Sequence, residues 1–280
     1  YAGMNLRENA PHRKRRSSIG LKEDKGMAIF AMTGGATGIG AALKAQLLGG
    51  DHQVISVDIK EGDIIADLST AEGRQTAIDG IRERAPDGLD GFIPCAGLPP
   101  VAKPLSLIAK VNYFGVIATI EGLRDLLARK RGSVLLVASN SAPMIATEDS
   151  YVQACLAGDE AAACADIEGR DGHSAYAGSK RAVTLWMRRN IVEYAKAGVR
   201  MNAVAPGITN TPLTERVYAD EQLGDVMREF EATVPWGGTA QPEQIANVMR
   251  FMLSPEADFV CGSVFFVDGG SDAMMRPDDF

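Results

Sequence analysis

The sequence predicts an α/β fold: a doubly wound parallel sheet with helices on both faces. Three observations predict it. From Met27 onward, short apolar runs alternate with helical patterns, the order expected of a parallel sheet built from strand–helix–strand units. Runs such as Ser133-Val134-Leu135-Leu136-Val137-Ala138 are almost continuously apolar, which suits strands covered on both faces. The first run, Met27-Ala28-Ile29-Phe30-Ala31-Met32, passes through a glycine-rich turn straight into an Ala/Leu-rich helical pattern. Glycine permits so sharp a strand-to-helix reversal.

The elements follow in order. A strand is expected over 27–33, a helix over 38–49, a strand over 53–58 and a helix over 71–84. Next come a strand over 90–94, one long helix over 105–129 and a strand over 133–138. A helix over 175–196, a strand over 199–205, a helix over 241–253 and a strand over 263–267 complete the pattern. Pro242 after Gln241 marks a helix start, because proline is tolerated in a first turn. Right-handed crossovers put the ligand crevice of such a sheet at the carboxyl ends of its strands. Every motif considered below falls at one of those ends.

Two segments interrupt the rhythm. The stretch 142–172 is Ala-rich and acidic, with Glu148, Asp149, Asp159, Glu160, Asp166 and Glu168. It reads as a helical insertion that covers part of the cleft, alters a subunit interface, or is a surface excursion. The stretch 209–236 carries Tyr218, Leu223, Met227, Phe230, Val234 and Trp236, which would give a covering segment an apolar inner face.

Composition narrows the function classes. The chain has 280 residues, 46% hydrophobic and 23% charged, enough for one α/β domain over 27–280 with a large core. A net charge of −7 argues against nucleic acid or an acidic membrane surface as main partner. No apolar run is long enough to span a bilayer. Cys95, Cys155, Cys164 and Cys261 have no metal-like or C-x-x-C spacing and read as reduced residues of a cytoplasmic protein. His12, His52 and His173 are scattered, so no metal site is expected. Residues 1–26 contain the run Arg13-Lys14-Arg15-Arg16 and lack periodicity, so they read as a disordered extension or an added leader. With no apolar segment before Met27, a cleavable secretory signal is not expected there.

The chemistry-bearing residues form a series. In Thr33-Gly34-Gly35-Ala36-Thr37-Gly38-Ile39-Gly40, a strand, a glycine turn and a helix start make a cradle for the pyrophosphate of a dinucleotide. Asp58 ends the next strand, where a carboxylate accepts hydrogen bonds from adenosine ribose hydroxyls and repels a 2′-phosphate. That points to NAD(H) over NADP(H), with Lys60 as the neighbouring cation that softens the preference. Tyr176 and Lys180, four residues apart, share one face of a helix, and an ammonium near a phenol gives it a route to ionise. Such a pair is commonplace on helices. Its meaning comes from its company.

With the glycine loop, Asp58, Tyr176-Ala177-Gly178-Ser179-Lys180 and Asn202-Ala203-Val204-Ala205-Pro206-Gly207, the chain resembles the short-chain dehydrogenase/reductase family. The resemblance runs from about Met27 to the C-terminus, with the motifs in the family's order. More narrowly it resembles the 3α-hydroxysteroid dehydrogenase/carbonyl reductase branch. That likeness rests on Ala66 to Arg74, Val111-Asn112-Tyr113-Phe114-Gly115, Ala175 to Lys180, and the tail Met275-Arg276-Pro277 with Phe280.

The resemblance implies a Rossmann-type domain, a mobile substrate lid over 209–236 and a homodimer or homotetramer. It also implies roles. Ser139, with Ser141 as the alternative, would orient the substrate oxygen. Tyr176 would be the general acid or base. Lys180 would lower the Tyr176 pKa and hold the nicotinamide ribose. Asn112 would support a water-linked relay to the lysine. Gly34, Gly35, Ala36, Thr37, Gly38, Ile39 and Gly40 would hold the pyrophosphate, Asp58 the ribose, and Asp67 with Leu68 the adenine. Ala96 and Gly97 would approach the cofactor closely. Pro206, Gly207 and Ile208 would meet the carboxamide, with Thr211 near the phosphates. The family's Asn-Asn-Ala-Gly is Pro94-Cys95-Ala96-Gly97 here, so two side-chain amides are replaced. The implied activity is NAD-dependent interconversion of a secondary alcohol and a ketone on a bulky apolar substrate such as a 3α-hydroxysteroid. A terpenoid or aromatic alcohol is the alternative, and a non-catalytic NAD-sensing module a third reading.

Overall fold

The computed structural model describes residues 26–279. The extension expected over 1–26 therefore lies outside the described residues, except for Gly26, and so does Phe280. The sheet has seven strands: β1 (Ile29–Thr33), β2 (Gln53–Asp58), β3 (Ile64–Ile65), β4 (Gly91–Pro94), β5 (Ser133–Val137), β6 (Arg200–Pro206) and β7 (Val264–Val267). Their order is β3-β2-β1-β4-β5-β6-β7, and all neighbouring pairs are parallel. The strand order reverses between β1 and β4, which opens a crevice beyond their carboxyl ends. Six strands were expected. The seventh, β3, has two residues, too short for any hydrophobic period to register.

The helices cover the sheet in two layers. α1 (Gly38–Gly49) and α11 (Pro242–Leu253) pack on one face, where Phe30, Met32, Leu43, Ile93, Leu135 and Met249 form a core cluster. α2 (Ala71–Arg84), α4 (Val116–Gly122), α5 (Arg124–Lys130) and α8 (Gly172–Lys196) belong to the other layer, whose cluster includes Ala31, Phe92, Leu136, Tyr113 and Trp186. Consecutive residues of β1 serve opposite layers, Phe30 and Met32 one and Ala31 the other, as strand geometry requires.

The helix expected over 105–129 is broken. It consists of α3 (Ser106–Ala109), a π-helical segment Lys110–Gly115, α4 and α5. Such π turns recur at functional sites because they re-aim side chains within a helix. Here Asn112 is carried by the π segment and accepts from the Leu98 N–H at 2.7 Å while donating to the Leu98 carbonyl at 3.0 Å. An apolar period records none of this.

α8 begins at Gly172, three residues before the expected start. Asp171 caps it by accepting the Ser174 N–H at 2.8 Å. A Cβ at Gly172 would lie 1.9 Å from the Pro100 carbonyl oxygen, so only glycine fits that first turn.

The insertion is helical, as expected. α6 (Ser150–Leu156) and α7 (Glu160–Glu168) are capped by Asp149 and Asp159. They pack on α8 and α3, and Tyr151, Val152, Cys155, Ala163 and Ile167 are fully buried in the same core cluster. Arg170 ties Asp149 to Asp166 across the two helices. The insertion is thus part of the core. The 209–236 segment forms α9 (Pro212–Tyr218) and α10 (Leu223–Ala232). Its apolar side is partial: Val234 is buried, whereas Trp236 is 88% exposed. The Trp236 N–H is fixed to the Gly269 carbonyl, and Gly237-Gly238 with positive φ follows it. α12 (Ser271–Met275) ends the described chain.

Candidate active site

A cleft of about 580 Å³ lies at the carboxyl ends of β1, β2, β4, β5 and β6. At its floor the glycine turn is pressed against the neighbouring strand. Gly34 has φ +71°, and a Cβ there would stand 2.6 Å from the backbone of Ala96. A Cβ at Gly40 would lie 2.0 Å from the Gly34 carbonyl oxygen. Thr37, at the N-cap of α1, makes no side-chain cap bond. The first-turn N–H groups of that helix thus have no capping side chain, an arrangement suited to an anion.

Asp58 closes one end. Its Oδ1 accepts the Ile59 N–H at 2.8 Å, and its Oδ2 takes a long 3.4 Å contact from the Ala36 N–H. Asp67 uses Oδ1 to accept the Ser69 N–H at 2.9 Å, and Leu68 behind it is buried. On the far side, Thr211 caps α9 and its methyl would touch any Cβ placed at Gly38. Gly207 passes so near Asp268 that a Cβ would lie 2.7 Å from the Asp268 Cα.

At the other end Ser139, Tyr176 and Lys180 come together. Ser139 Oγ is 2.9 Å from Ser141 Oγ and accepts the Ser141 N–H at 3.2 Å. Of the two serines it is Ser139 that lines the cleft. Lys180 is 5% exposed, donates to the Val137 carbonyl at 2.8 Å, and sits 5.8 Å from the centroid of the Tyr176 ring. Burial pulls the ammonium down to about 8, partly opposed by Cys95. The Tyr176 phenol moves the other way. Its burial raises it, the Ser139 hydroxyl draws it down, and Cys95 raises it further. Burial is thus the largest influence on the phenol.

Of the residues singled out from sequence, Gly34, Thr37, Gly38, Ile39, Gly40, Asp58, Asp67, Leu68, Ala96, Gly97, Ser139, Tyr176, Lys180, Pro206, Gly207 and Thr211 line this one cleft. Gly35 stands behind it against Met32 and Ser56, and the Ala36 N–H reaches Asp58 Oδ2 at 3.4 Å. Asn112 is fully buried one layer back, and a Cβ at Gly97 would lie 3.5 Å from its Oδ1 and 3.9 Å from Lys180 Nζ. Ile208 instead lines a second cavity of about 640 Å³, between Trp236–Ala240 and the end of β7. That cavity contains none of Ser139, Tyr176 and Lys180. Cys95, Leu98, Val111 and Arg216 line the main cleft without having been singled out for it. Leu98 and Val111 adjoin flagged residues, whereas Arg216 on α9 carries no sequence signal. Among the described residues no cluster of His, Cys, Asp and Glu could hold a metal ion.

Comparison with known proteins places the fold in a family. A family model described as enoyl-(acyl carrier protein) reductase matches residues 35–272. The 3-alpha-hydroxysteroid dehydrogenase/carbonyl reductase of Comamonas testosteroni is 39% identical over 259 residues, covering 91% of this chain and all of that protein. The cis-4-hydroxycyclohexanecarboxylate dehydrogenase of Sinomonas cyclohexanicum is 27% identical, over 88% of this chain and 97% of its own. Among solved structures, the 3-alpha-hydroxysteroid dehydrogenase of Pseudomonas sp. B-0831, complexed with NADH, is 44% identical with a TM-score of 0.87, covering 90% of this chain and all of that one. On these grounds the chain belongs to the short-chain dehydrogenase/reductase family.

Proposed function

We propose that the protein is an NAD-dependent oxidoreductase interconverting a secondary alcohol and a ketone on a bulky apolar substrate, a 3α-hydroxysteroid in the first instance. The observation that carries this reading is the single cleft in which Ser139, Tyr176 and Lys180 face a glycine cradle and a strand-end aspartate. The two relatives named for 3-alpha-hydroxysteroids support the substrate class.

The cradle fits a dinucleotide. Gly34 and Gly40 have no room for a side chain against the Ala96 backbone and the Gly34 carbonyl, so only glycine allows this tight turn; α1 presents an N-terminus without a side-chain cap, and Asp58 stands where ribose hydroxyls would donate. The negative charge of Asp58 disfavours a 2′-phosphate, which selects NAD over NADP. When bound, the nicotinamide supplies the hydride acceptor or donor.

The chain's own residues manage the substrate oxygen and its proton. Ser139 Oγ, already paired with Ser141, offers its hydroxyl to that oxygen and orients the carbon. The raised phenol of Tyr176 is protonated at neutral pH, so it donates to the oxygen as a ketone is reduced. In alcohol oxidation Tyr176 must first give up its own proton to solvent; the phenolate oxygen, its negative charge stabilised by Lys180 at the ring face, then takes the proton of the alcohol. Asn112 holds both backbone groups of Leu98 and so fixes the wall between Gly97 and the π segment.

The family habit of homodimers or homotetramers, and four free cysteines among the described residues, support a cytoplasmic homo-oligomer. No helix among the described residues is long and apolar enough to cross a membrane.

The test is nicotinamide absorbance during turnover of steroid, terpenoid and aromatic secondary alcohols, with NAD and NADP supplied separately. Turnover of the steroids with NAD is expected. Preference for another alcohol class would replace the substrate, and preference for NADP would overturn the Asp58 argument.

A further inference from the structure

Arg74 reaches from α2 into the seam between three elements and is 8% exposed. Its Nε donates to the Leu68 carbonyl at 2.8 Å. Nη1 donates to Glu160 Oε2 at 2.6 Å, and Nη2 to Glu160 Oε1 at 3.0 Å and to the Lys110 carbonyl at 3.1 Å. The guanidinium carbon also lies 6.0 Å from the Phe114 ring centroid.

Each partner belongs to a different part of the molecule. Leu68 lines the cleft beside Asp67. Lys110 opens the π segment, whose Val111 lines the cleft and whose Asn112 braces Leu98. Glu160 belongs to α7 of the insertion, no residue of which lines the cleft. The π segment ends on Leu68 directly: a Cβ at Gly115 would stand 3.1 Å from Leu68 Cβ and 3.2 Å from its carbonyl oxygen.

A guanidinium is a rigid planar fork. Gripped on one edge by a carboxylate, it has its remaining donors aimed in fixed directions. Here those directions meet two backbone carbonyls, one on each side of the Leu68–Val111 wall. We propose that Arg74 is a positioning residue for the cofactor, and that Glu160 sets its orientation. Through this pair the insertion fixes the spacing of Leu68 from the π segment and contributes to NAD affinity without touching the cofactor. The inference rests on the NAD reading above.

Two quantities separate this role from plain structural support: the Kd for NADH, read from nicotinamide fluorescence, and the Tm of the free protein. Glu160→Gln keeps the side chain's shape and is expected to weaken NADH about three- to tenfold, the scale of residues acting without ligand contact. Arg74→Lys keeps the charge but loses the fork, so it should weaken NADH similarly. Arg170→Gln breaks the Asp149–Arg170–Asp166 link inside the insertion, remote from the Leu68–Val111 wall. It should lower Tm at least as much as Glu160→Gln while leaving the NADH Kd unchanged. If Glu160→Gln binds NADH as wild type does, or if the loss of affinity in both variants merely follows Tm, the proposal is overturned while the NAD reading stands. Failure of the wild-type protein itself to bind NADH would remove that reading, and this proposal with it.

Discussion

Tyr151 of the insertion packs its ring against Gly178, midway between Tyr176 and Lys180: a Cβ at Gly178 would stand 2.7 Å from Tyr151 Cδ1. The helix that carries the two reactive side chains is thus backed by a segment added between Ser139 and that helix. Gly178→Ala sets a gain in helix propensity, about 1 kcal/mol, against overpacking that costs about 1–3 kcal/mol. The variant should therefore be less stable in a thermal melt. Tyr151→Leu in the same chain should recover part of that loss. Additive effects of the two changes would mean that the contact carries no energy.

Tyr176→Phe removes the acid/base oxygen and leaves the ring in place. Turnover should fall by about two to four orders of magnitude, the usual worth of general acid–base catalysis. NADH titrated against the variant should bind almost as it does to wild type. Turnover near the wild-type rate would show that another group moves the proton.

Lys180 makes the free protein's stability depend on pH in a stated direction. Its folded pKa, about 8, lies below the ordinary lysine value of 10.5. Between those values the unfolded chain holds the extra proton, so stability rises with pH across that window. At neutral pH the buried charge costs the folded state roughly 3 kcal/mol. Lys180→Met removes that cost but leaves the Val137 carbonyl without its donor, a loss of about 1–3 kcal/mol. Relative to wild type, the variant should therefore have its best Tm near pH 7 and lose that advantage towards pH 10. A difference that stays constant with pH would show that Lys180 is not desolvated as described.

Asp58→Ala deletes the proposed ribose acceptor. A hydrogen bond to a charged group is worth roughly 1.5–3 kcal/mol, so NAD affinity should drop about tenfold or more. Relative use of NADP should rise, aided by Lys60, which also lines the cleft. An unchanged ratio of NAD to NADP turnover would place cofactor choice elsewhere.

What was legible in the sequence was local. The β1–glycine turn–α1 unit, Asp58 at the end of β2, and Tyr176 with Lys180 on one helix face are each read from neighbours within a few residues, and all line one cleft. What was missed depends on partners far along the chain. The π segment exists where Asn112 turns to Leu98, fourteen residues away. α8 starts early because Gly172 slides under Pro100. Arg74 closes the stretch Ala66 to Arg74, yet its partner Glu160 lies 86 residues on. Ile208, which the resemblance gives to the nicotinamide carboxamide, lines the neighbouring cavity. Trp236 looked like an inward-facing lid residue because hydropathy says nothing of the Gly237-Gly238 turn that follows it.

The most direct measurement is the absorbance of reduced nicotinamide when wild-type protein is mixed with NAD and a 3α-hydroxysteroid. A steady rise is expected, much slower with NADP and absent in Tyr176→Phe. No rise with any secondary alcohol, from protein that demonstrably binds NADH, would contradict the assignment of Ser139, Tyr176 and Lys180 as the machinery of an alcohol dehydrogenase.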